Sequence, residues 1–184
     1  RTTQVSPASP DGKIVKGANT GTEDTYTGFK PLAKRSFNVT DPDNTRGLST
    51  KKVCHSFGVA SDGKANDISV NFQKYFDEKK FDAVTLDNVT DDKVMYLTFD
   101  CGYENGYTMK ILDTLKEKNA PAAFFCALHE MKENPDIIAR AITDGHIVGN
   151  HTDTHPSMDE LSRTRMAGEL QAFDDYLREH FGYS

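Results

Sequence analysis

At 184 residues the chain is long enough for one domain of ordinary size plus an appendage, and too short for two large ones. Its 36% hydrophobic content and mean hydropathy of -0.62 are low for a compact enzyme, which points to a segment outside any core. The formal charge of -6 is spread over a chain with 22 basic residues and no basic cluster, so a nucleic-acid partner has no electrostatic footprint.

Residues 1–50 are dominated by Thr, Ser, Gly, Pro, Asp and Asn without an apolar period, the pattern of a linker or a wrapped, irregular extension. The opening Arg1-Thr2-Thr3-Gln4 has no signal-peptide apolar region, and no apolar run approaches the roughly 20 residues that cross a bilayer. Either the protein is cytosolic or an export signal has been removed. Residues 51–93 are expected to form an N-terminal segment packing on the main fold. Within it, Val53 to Gly58 reads as a short strand, and Val70, Phe72, Tyr75, Phe76 and Phe81 recur at helical spacing.

From Val94 the pattern becomes regular. Residues 94–99 form a dense β-prone run, the signature of a parallel strand buried on both faces, and it stops at Asp100-Cys101-Gly102. Thr108 to Lys118 predicts a helix with Ile111, Leu112 and Leu115 on one face, and Ala122 to Cys126 a second strand. Asn134-Pro135 reads as a capped helix start, with Gly145 as its stop and His146 to Gly149 as the third strand. A last helix starts at Ser157 or Ser162 and ends at Gly182, with Leu161, Met166, Leu170, Phe173, Leu177 and Phe181 as its buried stripe. The order β, α, β, α, β, α forces a parallel α/β sheet with right-handed crossovers, either a barrel or an open doubly wound sheet. In both, ligands sit at the carboxyl ends of the strands, where Asp100, Cys101, Asn150 and His151 fall.

His151 and His155 lie four apart, a spacing that lets two imidazoles face one metal ion. Alone, that pair reads as two exposed loop histidines. Asp100, arriving at the same sheet end, changes the balance by supplying a base. Cys101 is either a third ligand or a small residue filling the strand end, and Cys126 reads as a buried structural thiol. Three cysteines are too few for a disulfide framework and leave at least one thiol unpaired. Gly102, Asn105 and Gly106 form a sharp turn after the first strand, with neither the lysine nor the Ser/Thr of a phosphate loop.

Thr98-Phe99-Asp100-Cys101-Gly102 resembles the first motif of the NodB-homology polysaccharide deacetylases (carbohydrate esterase family four), usually Thr-Phe-Asp-Asp-Gly. His151-Thr152-Asp153-Thr154-His155-Pro156 resembles the second, His-Ser/Thr-x-x-His-Pro. Tyr103-Glu104-Asn105-Gly106-Tyr107-Thr108, with His55-Ser56-Phe57-Gly58 upstream, looks most like the branch acting on muramic acid residues on the way to spore-cortex δ-lactam. The resemblance covers about Cys54 to Ser184.

It implies that residues 94–184 are the first half of a NodB-like domain, the N-terminal part of a deformed (β/α) barrel. It makes Asp100 the general base, His151 and His155 ligands of a divalent metal such as zinc, Cys101 the occupant of the remaining ligand position, and Tyr103, Asn105 and Asn150 contacts to an N-acetylated glycan. Cys101 departs from the family's carboxylate. The family's later motifs, including the one carrying the general acid, are absent from the sequence. This leads to the expectation of a C-terminal half in a separate or missing chain, or of Val53 to Phe57 covering an open sheet edge. The implied setting is extracytoplasmic, with the N-terminal extension as a tether. The competing readings are a non-catalytic glycan- or metal-binding deacetylase-like fragment and a cytosolic zinc hydrolase acting on a small amide.

Overall fold

A computed structural model describes residues 29–56, 58–89 and 94–184, so that residues 1–28 of the extension and Phe57 lie outside the described residues. The chain divides into two compact units, one spanning Ser49–Met95 and one joining the segment up to Leu48 to Tyr96–Ser184.

The smaller unit is built on α1 (Asp67–Lys79). The Asn66 side chain caps its start by accepting from the Ser69 amide at 2.9 Å, and Lys80 ends it in the left-handed region at φ 56°. The apolar period gathers Phe72, Tyr75, Phe76 and Phe81 into one aromatic cluster, with Phe81 just past the helix. Buried Gln73 supports the following turn by accepting from the Thr85 amide at 2.8 Å. The strand expected at 53–58 is not formed: residues 51–56 pair with no other strand, and Val53 is exposed.

The larger unit contains β1 (Thr98–Cys101), α2 (Thr108–Glu117), β2 (Ala123–Cys126), α3 (Leu128–Glu133), α4 (Pro135–Thr143), β3 (Ile147–Asn150) and α5 (Arg163–Phe181). The three strands are parallel in the order β1-β2-β3. One sheet face, through Phe124, Cys126 and Val148, packs on Leu112, Ile138 and Phe173 in a single core.

Three expectations need correction, and one stated alternative is resolved. β1 begins at Thr98 rather than Val94, and Met95 is 81% exposed with Val94 and Tyr96 also exposed. The ladder to β2 begins with the Ala123 amide donating to the Leu97 carbonyl at 2.9 Å, and Pro121, two residues earlier, has no N–H with which to extend it. Asn134 does not cap α4 with its side chain, which donates instead to Glu130 Oε1 at 3.1 Å; Asn134 ends α3, a helix that the sequence pattern did not reveal, and Pro135 opens α4. Of the two serines before the last helix, Ser162 is the cap, accepting from the Arg165 amide at 3.2 Å, and Met158–Glu160 forms a separate 3-10 turn. The buried stripe of α5 includes Glu169 and His180 beside Phe173, Leu177 and Phe181, whereas Leu161 precedes the helix.

Residues 29–48 have no regular secondary structure but are tied along α5. The Leu32 amide donates to the Arg178 carbonyl at 2.8 Å, the Phe37 amide to Gln171 Oε1 at 2.8 Å, and Arg163 donates to the Asp41 carbonyl at 2.9 Å. Gly182 ends α5 at φ 56°, and the Lys30 carbonyl occupies the space that a Cβ would need there.

The sheet is braced at the amino ends of its strands by Asp144, whose largely buried carboxylate accepts from Lys116 at 2.7 Å and from Arg140 at 3.1 Å. Burial alone would raise its pKa, but these two cations outweigh that and hold it below the usual carboxylate value. A depressed folded-state pKa contributes stability above the unfolded value of about 3.9 and loses it as pH falls through the folded one. Urea unfolding of Asp144→Asn across pH should therefore show reduced stability at neutral pH and a shallower acid limb than the wild-type chain.

Candidate active site

The ladder register sets Asp100 opposite Phe125 and Phe125 opposite Gly149, while Cys101, Cys126 and Asn150 line up one step further on. Successive strand residues point to opposite faces, so Asp100 and Cys101 part company. Cys101 shares the helix-packed face with Phe99, Phe124 and Cys126, whereas Asp100 stands exposed on the open face with Phe125. Gly149 is required on that face, because a Cβ there would lie 2.6 Å from the Phe125 ring. The close approach keeps the sheet beside Asp100 free of a third bulky side chain.

The segment after β3 is held by a short chain of bonds. The His151 amide extends the ladder to the Cys126 carbonyl at 3.0 Å, and the Thr152 carbonyl accepts from the Leu128 amide at 3.1 Å. Asn150 Oδ1 accepts from the Thr152 amide and Thr152 Oγ1 from the His155 amide, both at 2.9 Å. Thr152 and His155 adopt φ of 71° and 54°. Left-handed backbone at such residues costs on the order of 1–3 kcal/mol each and persists only when surrounding bonds impose it. The strongest anchor is Glu169 of α5, 6% exposed, which accepts from the Thr154 amide at 2.8 Å and from its hydroxyl at 3.0 Å. Sequence reading passed over Glu169 because an acid in an apolar stripe resembles an imperfection of the period. Its signal was position, 15 residues beyond Thr154 and inside the buried face.

This geometry brings the two imidazoles together, with ring centroids 4.7 Å apart and His155 exposed. Their donor chemistry fits zinc, which binds neutral imidazole nitrogen, but an open catalytic site uses three protein ligands. Among the described residues no three His, Cys, Asp or Glu side chains are gathered to hold an ion, so the pair stands as two donors.

Cys101 lies instead against Cys126. The Cys126 thiol bonded to it lowers the Cys101 pKa, and the same bond together with burial pushes the Cys126 thiol far up. Nearby, burial and then the Glu104 charge raise the Glu130 carboxyl, and Glu130 Oε2 has no hydrogen-bond partner. Asn150 is committed to the fold: its Nδ2 donates to the Leu170 carbonyl at 2.9 Å while its Oδ1 holds Thr152. Tyr103 and Asn105 are exposed in the loop after β1, with the Tyr103 ring 5.1 Å from that of His129. His129, which also meets the Gly102 carbonyl, was not foreseen because α3 was not.

Residues 87–184 match the family model described as polysaccharide deacetylase. The chain belongs to the polysaccharide deacetylase family. Among curated relatives, an uncharacterized 30.6 kDa protein of Geobacillus stearothermophilus is 49% identical over 90 residues, covering 49% of this chain and 34% of that one. The peptidoglycan-N-acetylmuramic acid deacetylase PdaA of Bacillus subtilis is 42% identical over 97 residues, covering 53% of this chain and 36% of that one. A solved structure of Bacillus subtilis PdaA, a family 4 carbohydrate esterase, matches with a TM-score of 0.64 and 33% identity over 72% of this chain and 56% of that chain. This chain spans about a third of the length of these curated relatives. The expected family and its α/β fold with a parallel sheet are thus borne out, and the three strands form part of the deacetylase barrel.

The anchoring role of Glu169 is directly testable. Glu169→Ala leaves the Thr154 donors without their acceptor, a loss of about 1–3 kcal/mol in urea unfolding. It should also speed amide hydrogen exchange across 151–155, and Glu169→Gln, which keeps one acceptor oxygen, should fall between the two.

Proposed function

We propose that this chain carries the base and the imidazole pair of a metal-dependent deacetylase that removes N-acetyl groups from cell-wall peptidoglycan, at N-acetylmuramic acid residues. The observation that carries the reading is the convergence at one sheet end of Asp100, exposed on the open face, with the paired rings of His151 and His155. Membership of the family supports the reaction class, and the relatives named for peptidoglycan support the substrate class.

In this reading Asp100 takes a proton from the water whose oxygen adds to the acetamide carbonyl carbon. The C–N bond then breaks, leaving acetate and a free amine, which needs a proton from a general acid. Tyr103 and Asn105, exposed in the loop that follows β1, are the groups proposed to contact the sugar, while Asn150 acts by holding Thr152 and hence the histidine loop. His151 and His155 would hold the divalent ion, zinc by donor type, whose charge would stabilise the developing oxyanion. A glycan of the cell wall places the work outside the cytoplasm, although no helix among the described residues is long and apolar enough to cross a membrane.

A second reading, a glycan-binding relative without catalysis, is favoured by Cys101, which replaces the family's second carboxylate and lies on the helix-packed face of the sheet in register with Cys126. Acetate release from purified peptidoglycan by the full-length protein separates the two. Asp100→Asn should lower that release by about 10²–10⁴-fold, the share typical of a general base, with metal affinity unchanged. No release by the wild type with metal supplied would favour the second reading, and equal release by both proteins would remove Asp100 from the role of base.

A further inference from the structure

We propose that Cys101 and Cys126 are a dithiol pair that closes to a disulfide across β1 and β2 when the protein meets a small-molecule disulfide oxidant. The two residues are direct register partners on adjacent parallel strands and face the same side of the sheet. Neighbouring strands lie about 4.7–4.9 Å apart, inside the roughly 4.4–6.8 Å window of Cα separations that a disulfide spans. The two sulfurs take corresponding positions on their strands, Cys101 Sγ 3.9 Å from the Phe99 carbonyl and Cys126 Sγ 3.7 Å from the Phe124 carbonyl, and Phe99 and Phe124 are themselves register partners. Both side chains line one small cavity with Thr108 and Glu130.

Accessibility sets the order of events. Cys126 is 2% exposed whereas Cys101 is only half-buried, so an oxidant meets Cys101 first. The Cys101 thiolate attacks one sulfur of the oxidant, forming a mixed disulfide and releasing one thiol. The Cys126 sulfur, after losing its proton, then attacks Cys101 Sγ, forming the intramolecular bond and expelling the second thiol. Two protein thiols are oxidised and one oxidant disulfide is reduced to two thiols. The resulting link closes the segment containing α2 and fixes the strand end next to Asp100.

The test uses the full chain carrying Cys54→Ser, which removes the exposed third thiol. After equilibration with oxidised glutathione, trapping and peptide mass mapping should find Cys101 linked to Cys126, two hydrogens lighter and without retained glutathione. Its thermal midpoint should exceed that of the reduced protein, because the cross-link restricts the unfolded chain. Adding Cys126→Ser should leave glutathione attached to Cys101. The proposal is overturned if both thiols still alkylate freely after oxidation, if glutathione stays on Cys101 with Cys126 present, or if the link forms only in urea.

Discussion

The parallel ladder of β1, β2 and β3 is the constraint on which the rest of the larger unit depends. Its register fixes which residues reach the carboxyl end together, and its alternation decides which of them face helices and which face the open side. Asp100 and Cys101 are adjacent in sequence, yet the pleat gives them opposite surroundings. The aspartate is left on the exposed face, and the thiol is drawn into the margin of the core. Gly149 serves the same geometry by yielding its side-chain space to Phe125.

Around that ladder, the histidine loop is held by groups that the proposed hydrolysis does not use. Asn150, Thr152 and Glu169 together impose two left-handed residues and direct both imidazoles to one place. The stability of the fold is in this sense spent on a strained loop, as is common where backbone shape serves a site. The same α5 that supplies Glu169 also receives residues 29–48 along its other contacts, through Gln171 and Arg178. One helix therefore secures both the histidine loop and the irregular segment.

Much of this was legible beforehand. Strand and helix alternation from β1 onward, the strand-end placement of Asp100 and His151, and the family motifs all follow from short-range pattern and spacing, which sequence carries directly. The start of β1 was not legible, because residues 94–96 are as β-prone as any strand and only Pro121, which precedes β2 and has no N–H to extend the ladder, marks where pairing begins. Helix α3 was hidden because its six residues are too few to show a period. The roles of Glu169 and Asn150 depend on contacts between residues far apart in the chain. Cys101 shows the limit most sharply: its identity suggested a ligand, and only the pleat reveals that it adjoins Cys126.

The central claim is that the strand ends converge on a hydrolytic site organised by His151 and His155. The most direct measurement is anomalous X-ray scattering from crystals of the full-length protein equilibrated with zinc. The account predicts one peak about 2.0–2.1 Å from a ring nitrogen of each histidine, on the open side of the sheet that bears Asp100. A peak bonded to only one of them, or zinc held instead at Cys101 and Cys126 with both imidazoles free, would contradict it.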